Sequence, residues 1–120
     1  MRKLICVAAL MASATVASAT SLKDFWSTRP ADDPHFESKK SSLALEECIA
    51  LELSEKLGVP SIIHGDRETL VTAMAQGPFS QAPLGGARIV DHEASREVFV
   101  GALHTGGMRE KLSSLVQSCI

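Results

Sequence analysis

The chain has 120 residues, of which 45% are hydrophobic and 22% are charged, and its formal net charge is −2. This is the composition of an ordinary globular protein, and it excludes collagenous, coiled-coil and wholly disordered chains. The length allows one small domain with its own core rather than two. No complete catalytic, metal-binding or nucleotide-binding motif occurs in the sequence, so function has to be inferred from how the chain is organised.

The first 19 residues contain the three parts of an export signal in the correct order. Arg2 and Lys3 precede an apolar run rich in alanine, and residues 17–19 read Ala-Ser-Ala, a small-x-small cleavage site. The alternative, a membrane-spanning helix, requires about 20 strongly apolar residues, whereas this run gives way to Ser, Thr and Ala. We therefore expect residues 1–19 to be a cleaved signal peptide. The mature protein is then periplasmic or secreted and has no integral membrane segment.

Signal cleavage also changes the charge balance. Removing Arg2 and Lys3 leaves 10 basic residues against 14 acidic ones, and Lys39-Lys40 is the only adjacent basic pair that remains. A nucleic-acid-binding protein needs a basic face to displace counterions from phosphates. A polybasic membrane anchor needs a cluster of the same kind. The sequence argues against both kinds of partner.

Two cysteines remain in the mature chain, Cys48 and Cys119, because Cys6 lies in the signal. An even pair in an oxidising compartment most simply forms a disulfide. The alternatives are a reactive thiol and a pair of metal ligands. Cys48 lies in the apolar run of a predicted helix with no adjacent basic residue to favour a thiolate. We therefore predict a Cys48–Cys119 disulfide.

Residues 20–40 differ in composition from the rest of the mature chain. Prolines, paired aspartates and scattered charges interrupt any periodic pattern, so we interpret this region as an arm that precedes a single domain over residues 41–120. Three of the chain's aromatic residues, Phe25, Trp26 and Phe36, lie in the arm. An unstructured tail gains nothing from exposed rings, so we expect part of the arm to dock on an apolar surface. A flexible spacer is the alternative.

Two helices are predicted at the two ends of the domain. The first begins at Ser41 or Ser42, either of which can cap its amides, and ends before Gly58. The second follows the breaker Gly106-Gly107. Their apolar stripes are Leu45, Cys48, Ile49, Leu53 and Leu57 in the first, and Met108, Leu112, Leu115, Val116 and Cys119 in the second. Both cysteines lie on these stripes, so packing the helices side by side brings them within bonding reach.

Four short apolar or β-branched runs lie between the helices, at residues 61–64, 69–75, 87–92 and 97–104. Short turns join the first run to the second and the third to the fourth, whereas residues 76–86 form a longer Gly- and Pro-rich loop. Strands joined by short turns usually pair antiparallel. We therefore predict an α+β fold of order α-β-β-β-β-α, a two-layer sandwich. Its four-stranded antiparallel meander carries both helices on one face, and a disulfide links the helices.

One face of that sheet has no helix to cover it. The fourth run carries apolar side chains at both odd and even positions, which indicates burial on both faces of the sheet. We expect the cover to come from the aromatic arm, from an identical subunit or from a partner protein. The residues predicted to take part in this interaction are Phe25, Trp26, Phe36, Val98, Phe99 and Val100.

Histidines end two of the runs at one end of the predicted sheet. His64 ends the first run and His92 the third, and Asp66, Asp91 and Glu93 lie in or beside the turns at that end. Imidazoles among carboxylates can bind a divalent cation or act as an acid/base pair. The competing interpretation is a pair of solvated turns, because no tight His-x-His or His-Glu-x-x-His spacing fixes the ligands.

These patterns together predict a small exported, disulfide-linked domain that acts as a non-catalytic binding or interaction module in the cell envelope. Its partner would be a second copy of the chain or an envelope protein, and no cofactor is indicated. An enzyme needs a concave site with convergent groups, and one sheet-and-helix layer of this size has little room for it. The alternative is a metal-binding or hydrolytic protein that uses the His/carboxylate cluster. A purely structural envelope protein is a third interpretation.

Overall fold

The structure, a computed structural model, describes residues 22, 24–27, 34–76, 81–102 and 107–120. The predicted signal peptide, residues 1–19, lies outside the described residues, as do parts of the arm and of two loops. The strands and helices with defined bounds are β1 His35–Ser38, α1 Ser42–Lys56, β2 Val59–His64, β3 Glu68–Gln76, β4 Gln81–Asp91, β5 Arg96–Ala102 and α2 Met108–Gln117. Residues 24–27 of the arm also have helical backbone.

The strands form one antiparallel sheet in the order β1-β5-β4-β3-β2. The predicted α+β class and the antiparallel meander of β2 to β5 are confirmed. The prediction of four strands is wrong, because the arm contributes a fifth strand, β1, in which Phe36 pairs with Val98 of β5. This strand is only four residues long and follows Pro34, so the surrounding prolines and charges conceal its alternation. The two edges of the sheet are β1 and β2.

Most of the Gly- and Pro-rich segment predicted as a loop over residues 76–86 is strand. Only residues 77–80 separate β3 from β4. The register shifts where Met74 pairs with Pro83, an irregularity of the kind that lets a strand accommodate proline. Gly86 is buried, and a Cβ atom there would collide with a carbonyl oxygen of β3. Glycine is therefore required at this position by close backbone approach rather than by a turn.

The hydrophobic core lies between one face of the sheet and the two helices α1 and α2. The prediction of two helices is incomplete, because the arm, predicted without regular structure, also has helical backbone at residues 24–27. Side chains alternate along each strand, so every second residue of β3, β4 and β5 enters this core. Its buried members are Leu45, Ile49 and Leu53 of α1, Val71, Ala73, Ala87, Ile89, Val98, Val100 and Ala102 of the sheet, and Leu112, Leu115, Val116 and Cys119 at the C-terminal end. We refer to this side of the sheet as the helix-covered face.

Local signals in the sequence account for the position of α1. The Ser41 side chain accepts a hydrogen bond from the Ala44 amide at 3.1 Å, which satisfies one of the unpaired donors of the first turn. The helix ends at Lys56, and Gly58 leads into β2. The predicted disulfide is confirmed, because Cys48 of α1 is bonded to Cys119, which follows α2.

The opposite side of the sheet, the second face, is covered in part by the arm of the same chain. Leu22 and Phe25 are 5% and 6% exposed, and the indole Nε1 of Trp26 donates a hydrogen bond to Thr72 Oγ1 at 2.9 Å. Thr72 projects from the second face, since the residues on either side of it belong to the core. It is 1% exposed, so the arm closes this part of the sheet. Among the three sources of cover considered, the structure shows cover by the same chain.

Candidate functional site

Three of the six predicted interaction residues pack within the helix-covered face. Val98 and Val100 of β5 are 0% and 1% exposed, and Phe36 of β1 is half-buried against the same core. Their apolar side chains are therefore used to attach β1 and β5 to the helices. A partner could touch Val98 or Val100 only if the core opened.

The other three predicted interaction residues lie on the second face. Phe25 is buried, and its ring meets the ring of Trp26 edge to face at a centroid distance of 5.5 Å. Phe99 is half-buried between the Arg88 guanidinium, 5.6 Å from the ring centroid, and the His35 ring, at 5.5 Å. All of these contacts are made within one chain. The role of the six residues in binding a partner stays a prediction.

The two turns of the alternative metal site meet at one end of the sheet, where the Asp91 amide donates to the Arg67 carbonyl oxygen at 2.7 Å. Their side chains are paired with different partners, however. His64 lies on the helix-covered face and pairs with Glu46 of α1, whereas Asp91 pairs with Arg96, at 3.0 Å. The remaining turn members of the predicted set are exposed: Asp66 and Glu93.

His92 instead contacts a cluster that the sequence pattern does not predict. Its Nε2 lies 3.3 Å from Glu97 Oε1, and His35 Nε2 lies 3.8 Å from the other oxygen of the same carboxylate. Glu37 pairs directly opposite Glu97, and these residues line a cavity of about 330 Å³ together with Ser95. The cluster could not be predicted because His35 and Glu37 acquire a position only through β1.

These donors are not arranged as ligands. Across residues 34–76, 81–102 and 107–120 and the described part of the arm, no group of three or more His, Cys, Asp or Glu side chains is placed to hold a metal ion. The His/Glu cluster consists of neighbouring carboxylates and imidazoles at an exposed end of the sheet. It does not single out a chemical function.

The exposed large apolar residues of the described chain are instead concentrated at the opposite edge of the sheet. They are Leu43, 61% exposed, Leu51, 63%, Val59, 51%, Ile62, 40%, and Ile63, 36%. All belong to α1 or to β2, which is an edge strand. We call these residues the β2 edge surface. Isolated exposed apolar residues are ordinary, but a cluster of them is typical of an interaction site.

The β2 edge surface arises partly because α1 carries apolar residues on two faces. Leu45, Ile49 and Leu53 are spaced four residues apart and enter the core. Leu43 and Leu51 are eight residues apart and project outward as a second stripe, which the exposed Glu47 interrupts. A helix that packs on a single sheet needs only the first stripe. The second stripe is the signal in the sequence that could have indicated this surface.

A groove of about 410 Å³ runs between α1 and β2. Its lining consists of Glu46, Glu47, Ala50, Leu51 and Ser54 on the helix side and of Pro60 and Ile62 on the strand side. The middle of the groove is apolar, and the two carboxylates lie towards the end where Glu46 meets His64. The groove can therefore accept an apolar side chain along its length and a basic group at that end.

β2 exposes apolar side chains on both faces of the sheet. Ile62 pairs with Val71 and so lies on the helix-covered face, whereas Val59 and Ile63 lie on the second face. Ile63 and its neighbour Leu70 line a further cavity of about 290 Å³ there. The outer side of β2 pairs with none of the described strands. The surface therefore combines an open strand edge with apolar residues above and below it.

None of the described helices is both long enough and apolar enough to cross a membrane. Among the described residues, the β2 edge surface contains the large apolar side chains that are exposed. Comparison of the chain with protein-family models, with curated proteins and with solved structures finds no match.

Proposed function

We propose that this protein is a small exported, non-catalytic binding module of the cell envelope that holds another polypeptide at the β2 edge surface. The observation that carries the proposal is the concentration of exposed large apolar side chains on α1 and on the adjoining edge strand. Burying apolar surface contributes about 25 cal/mol per Å². Burying the five exposed residues on a partner would therefore favour association substantially. In the folded chain these side chains remain exposed to solvent.

Export is supported by two observations of different kinds. Residues 1–19 have the pattern of a cleaved signal peptide, and Cys48 and Cys119 form a disulfide. Disulfides persist in the periplasm and outside the cell, whereas they are reduced in most cytosolic proteins. We accordingly expect the mature chain to work in the periplasm or as a secreted protein.

The groove presents groups suited to recognition rather than to reaction. Glu46 and His64 form a carboxylate–imidazole pair at one end of it. The hydroxyl that lines the groove, on Ser54, donates instead to the Leu51 carbonyl oxygen at 2.8 Å and lies two helical turns away from Glu46. A nucleophile must be within hydrogen-bond reach of its base. The arrangement therefore favours binding over the hydrolytic alternative.

Photocrosslinking in the cell that exports the protein tests this proposal. A benzophenone amino acid at Ile62 should link the chain to a polypeptide, because Ile62 lies on the strand side of the groove. The same amino acid at Gln117, which is exposed on α2, is the matched control and should give no discrete product. If position 62 gives no more product than position 117, the β2 edge surface is not a binding site and the proposal is wrong.

A further inference from the structure

We propose that the polypeptide bound at the β2 edge surface is a second copy of this chain, paired antiparallel through β2. The two five-stranded sheets would then form one continuous sheet around a two-fold axis. This inference rests on the proposed function, because it uses the same surface and names its occupant.

The distribution of exposed residues on β2 favours an added strand over a docked helix. Ile62 is exposed on the helix-covered face, and Val59 and Ile63 are exposed on the second face. A helix laid beside α1 would cover only the first of these faces. A strand paired to the outer side of β2 places alternate side chains on both faces and covers both sets.

The sequence of β2 is complementary to itself in one antiparallel register. A pairing centred on Ser61 sets Val59 opposite Ile63 and Pro60 opposite Ile62 of the second copy, twice each. Every exposed apolar residue of the strand then meets an apolar residue on the same face, which is the contact that stabilises paired strands. A pairing centred on Ile62 would set Ser61 opposite Ile63 and lose this match.

The spacing of the helices is compatible with the pairing. α1 packs over β3 and the strands beside it, and β3 of one copy would lie three strand spacings, about 14 Å, from β3 of the other. Directly packed helices lie 8–10 Å apart. The two α1 helices would therefore be separated by a gap of a few ångströms beyond direct packing. Leu51 and Ile62 of each copy, which line the groove, would lie in this gap.

Pro60 limits the contribution of the backbone to this interface. Proline has no N–H, so the pairing lacks a donor at this position in each copy. Prolines on edge strands also discourage indiscriminate strand pairing. The dimer therefore depends on its side chains, and a charge placed among them should weaken it strongly.

A cysteine at the two-fold axis tests both the partner and the register. In the exported chain, Ser61→Cys should form a disulfide-linked dimer under oxidising conditions, because opposite residues of antiparallel strands lie about 4.5–5.5 Å apart at Cα. Val59→Cys is the matched control: the two copies of this residue would be four positions apart along the strands, about 13 Å, and should not link. Mixing Val59→Cys with Ile63→Cys protein should link the two variants to each other.

Sedimentation velocity measures the association without any cross-link. The exported wild-type chain should have the mass of a dimer, and Ile62→Lys should raise the dissociation constant roughly tenfold or more while leaving the circular dichroism spectrum unchanged. Ser114→Lys, at an exposed position of α2, should dimerise as the wild type does. A wild-type chain that is monomeric at every concentration, or a Val59→Cys chain that links to itself in preference to Ser61→Cys, overturns the inference.

Failure of the inference can be told apart from failure of the proposed function. A monomeric chain whose residue 62 still crosslinks to a different polypeptide removes the second copy as occupant and retains the binding surface. A monomeric chain with no crosslinked product removes both.

Discussion

The hydrogen bond between Trp26 and Thr72 determines where the arm lies on the sheet. The indole N–H donates to the Thr72 hydroxyl at 2.9 Å, and Thr72 is 1% exposed. A buried hydroxyl needs a partner because water cannot reach it. The arm therefore does more than cover apolar surface, since it also satisfies a polar group that the sheet buries on its second face.

Removing either partner of this bond should destabilise the fold. Trp26→Phe and Thr72→Val should each lower the free energy of unfolding by about 1 kcal/mol through the lost hydrogen bond, in addition to any packing loss. The double variant should lose less than the sum, because no polar group is then left unpaired. Urea unfolding measures all three, with Ser27→Ala as the control, since its hydroxyl bonds within the arm itself. Strictly additive losses would show that the arm does not dock through this contact.

Between elements, the disulfide joins two parts of the fold that four of the five strands separate along the chain. Cys48 lies within α1 and Cys119 follows α2, so the bond encloses β2, β3, β4 and β5 and spans 71 positions of sequence. In the chain-entropy model, closing a loop of this length raises the free energy of the unfolded chain by about 4 kcal/mol. This is a large share of the stability of a small domain.

Reduction of this disulfide should therefore shift the unfolding transition. The urea midpoint should fall in the presence of reductant, by an amount that corresponds to a loss of about 4 kcal/mol in the free energy of unfolding. A variant with both Cys48→Ala and Cys119→Ala should unfold near the reduced wild type and should not respond to reductant. An unchanged midpoint on reduction of the wild type would contradict the stabilising role of the bond.

The elements that the sequence predicts are those with a strong local signal. α1 and α2 follow from helical spacing and end signals, and the cysteine pair follows from its place on both apolar stripes. β1 is missed because a strand of four residues is too short for alternation to be distinguished among prolines and charges. Its pairing partner, β5, lies near the other end of the sequence, so only tertiary structure identifies it.

The candidate site is less accessible to sequence reasoning than the fold. The predicted meander already leaves β2 at an edge, but the exposure of Ile62 and Ile63 depends on how much of the strand α1 and the arm cover. The helical spacing of apolar residues in α1 predicts which residues are buried, but it does not predict that Leu43 and Leu51 are exposed. Burial is a property of the assembled layers, so the sequence alone favours the aromatic residues of the arm as interaction residues.

In the molecule as a whole, the chain itself closes one edge of the sheet and covers part of the second face. β1 pairs with β5 and protects that edge of the sheet, and the arm covers part of the second face. The β2 edge surface is left, on the side of the domain away from β1. These contacts make β1 and the described residues of the arm part of the folded domain.

The mass of the exported chain tests this organisation. Cleavage after Ala19 should give a protein that begins at Thr20, and the disulfide should make it two hydrogens lighter than the reduced chain. Intact-mass spectrometry before and after treatment with reductant measures both. A chain that retains residues 1–19, or whose mass does not change on reduction, would contradict the predicted export or the oxidised state.

The pairing of β1 with β5 also has a consequence for the order of folding. β2, β3, β4 and β5 each pair with a neighbour in the sequence, whereas His35 of β1 pairs with Phe99. Closing a long loop costs more entropy than forming a hairpin, and folding rates fall as contacts become less local. We expect the meander to assemble first and β1 to join it last. Until then β5 is an open strand edge, so the docking of β1 is the step that ends the exposure of the folding chain to aggregation at that edge.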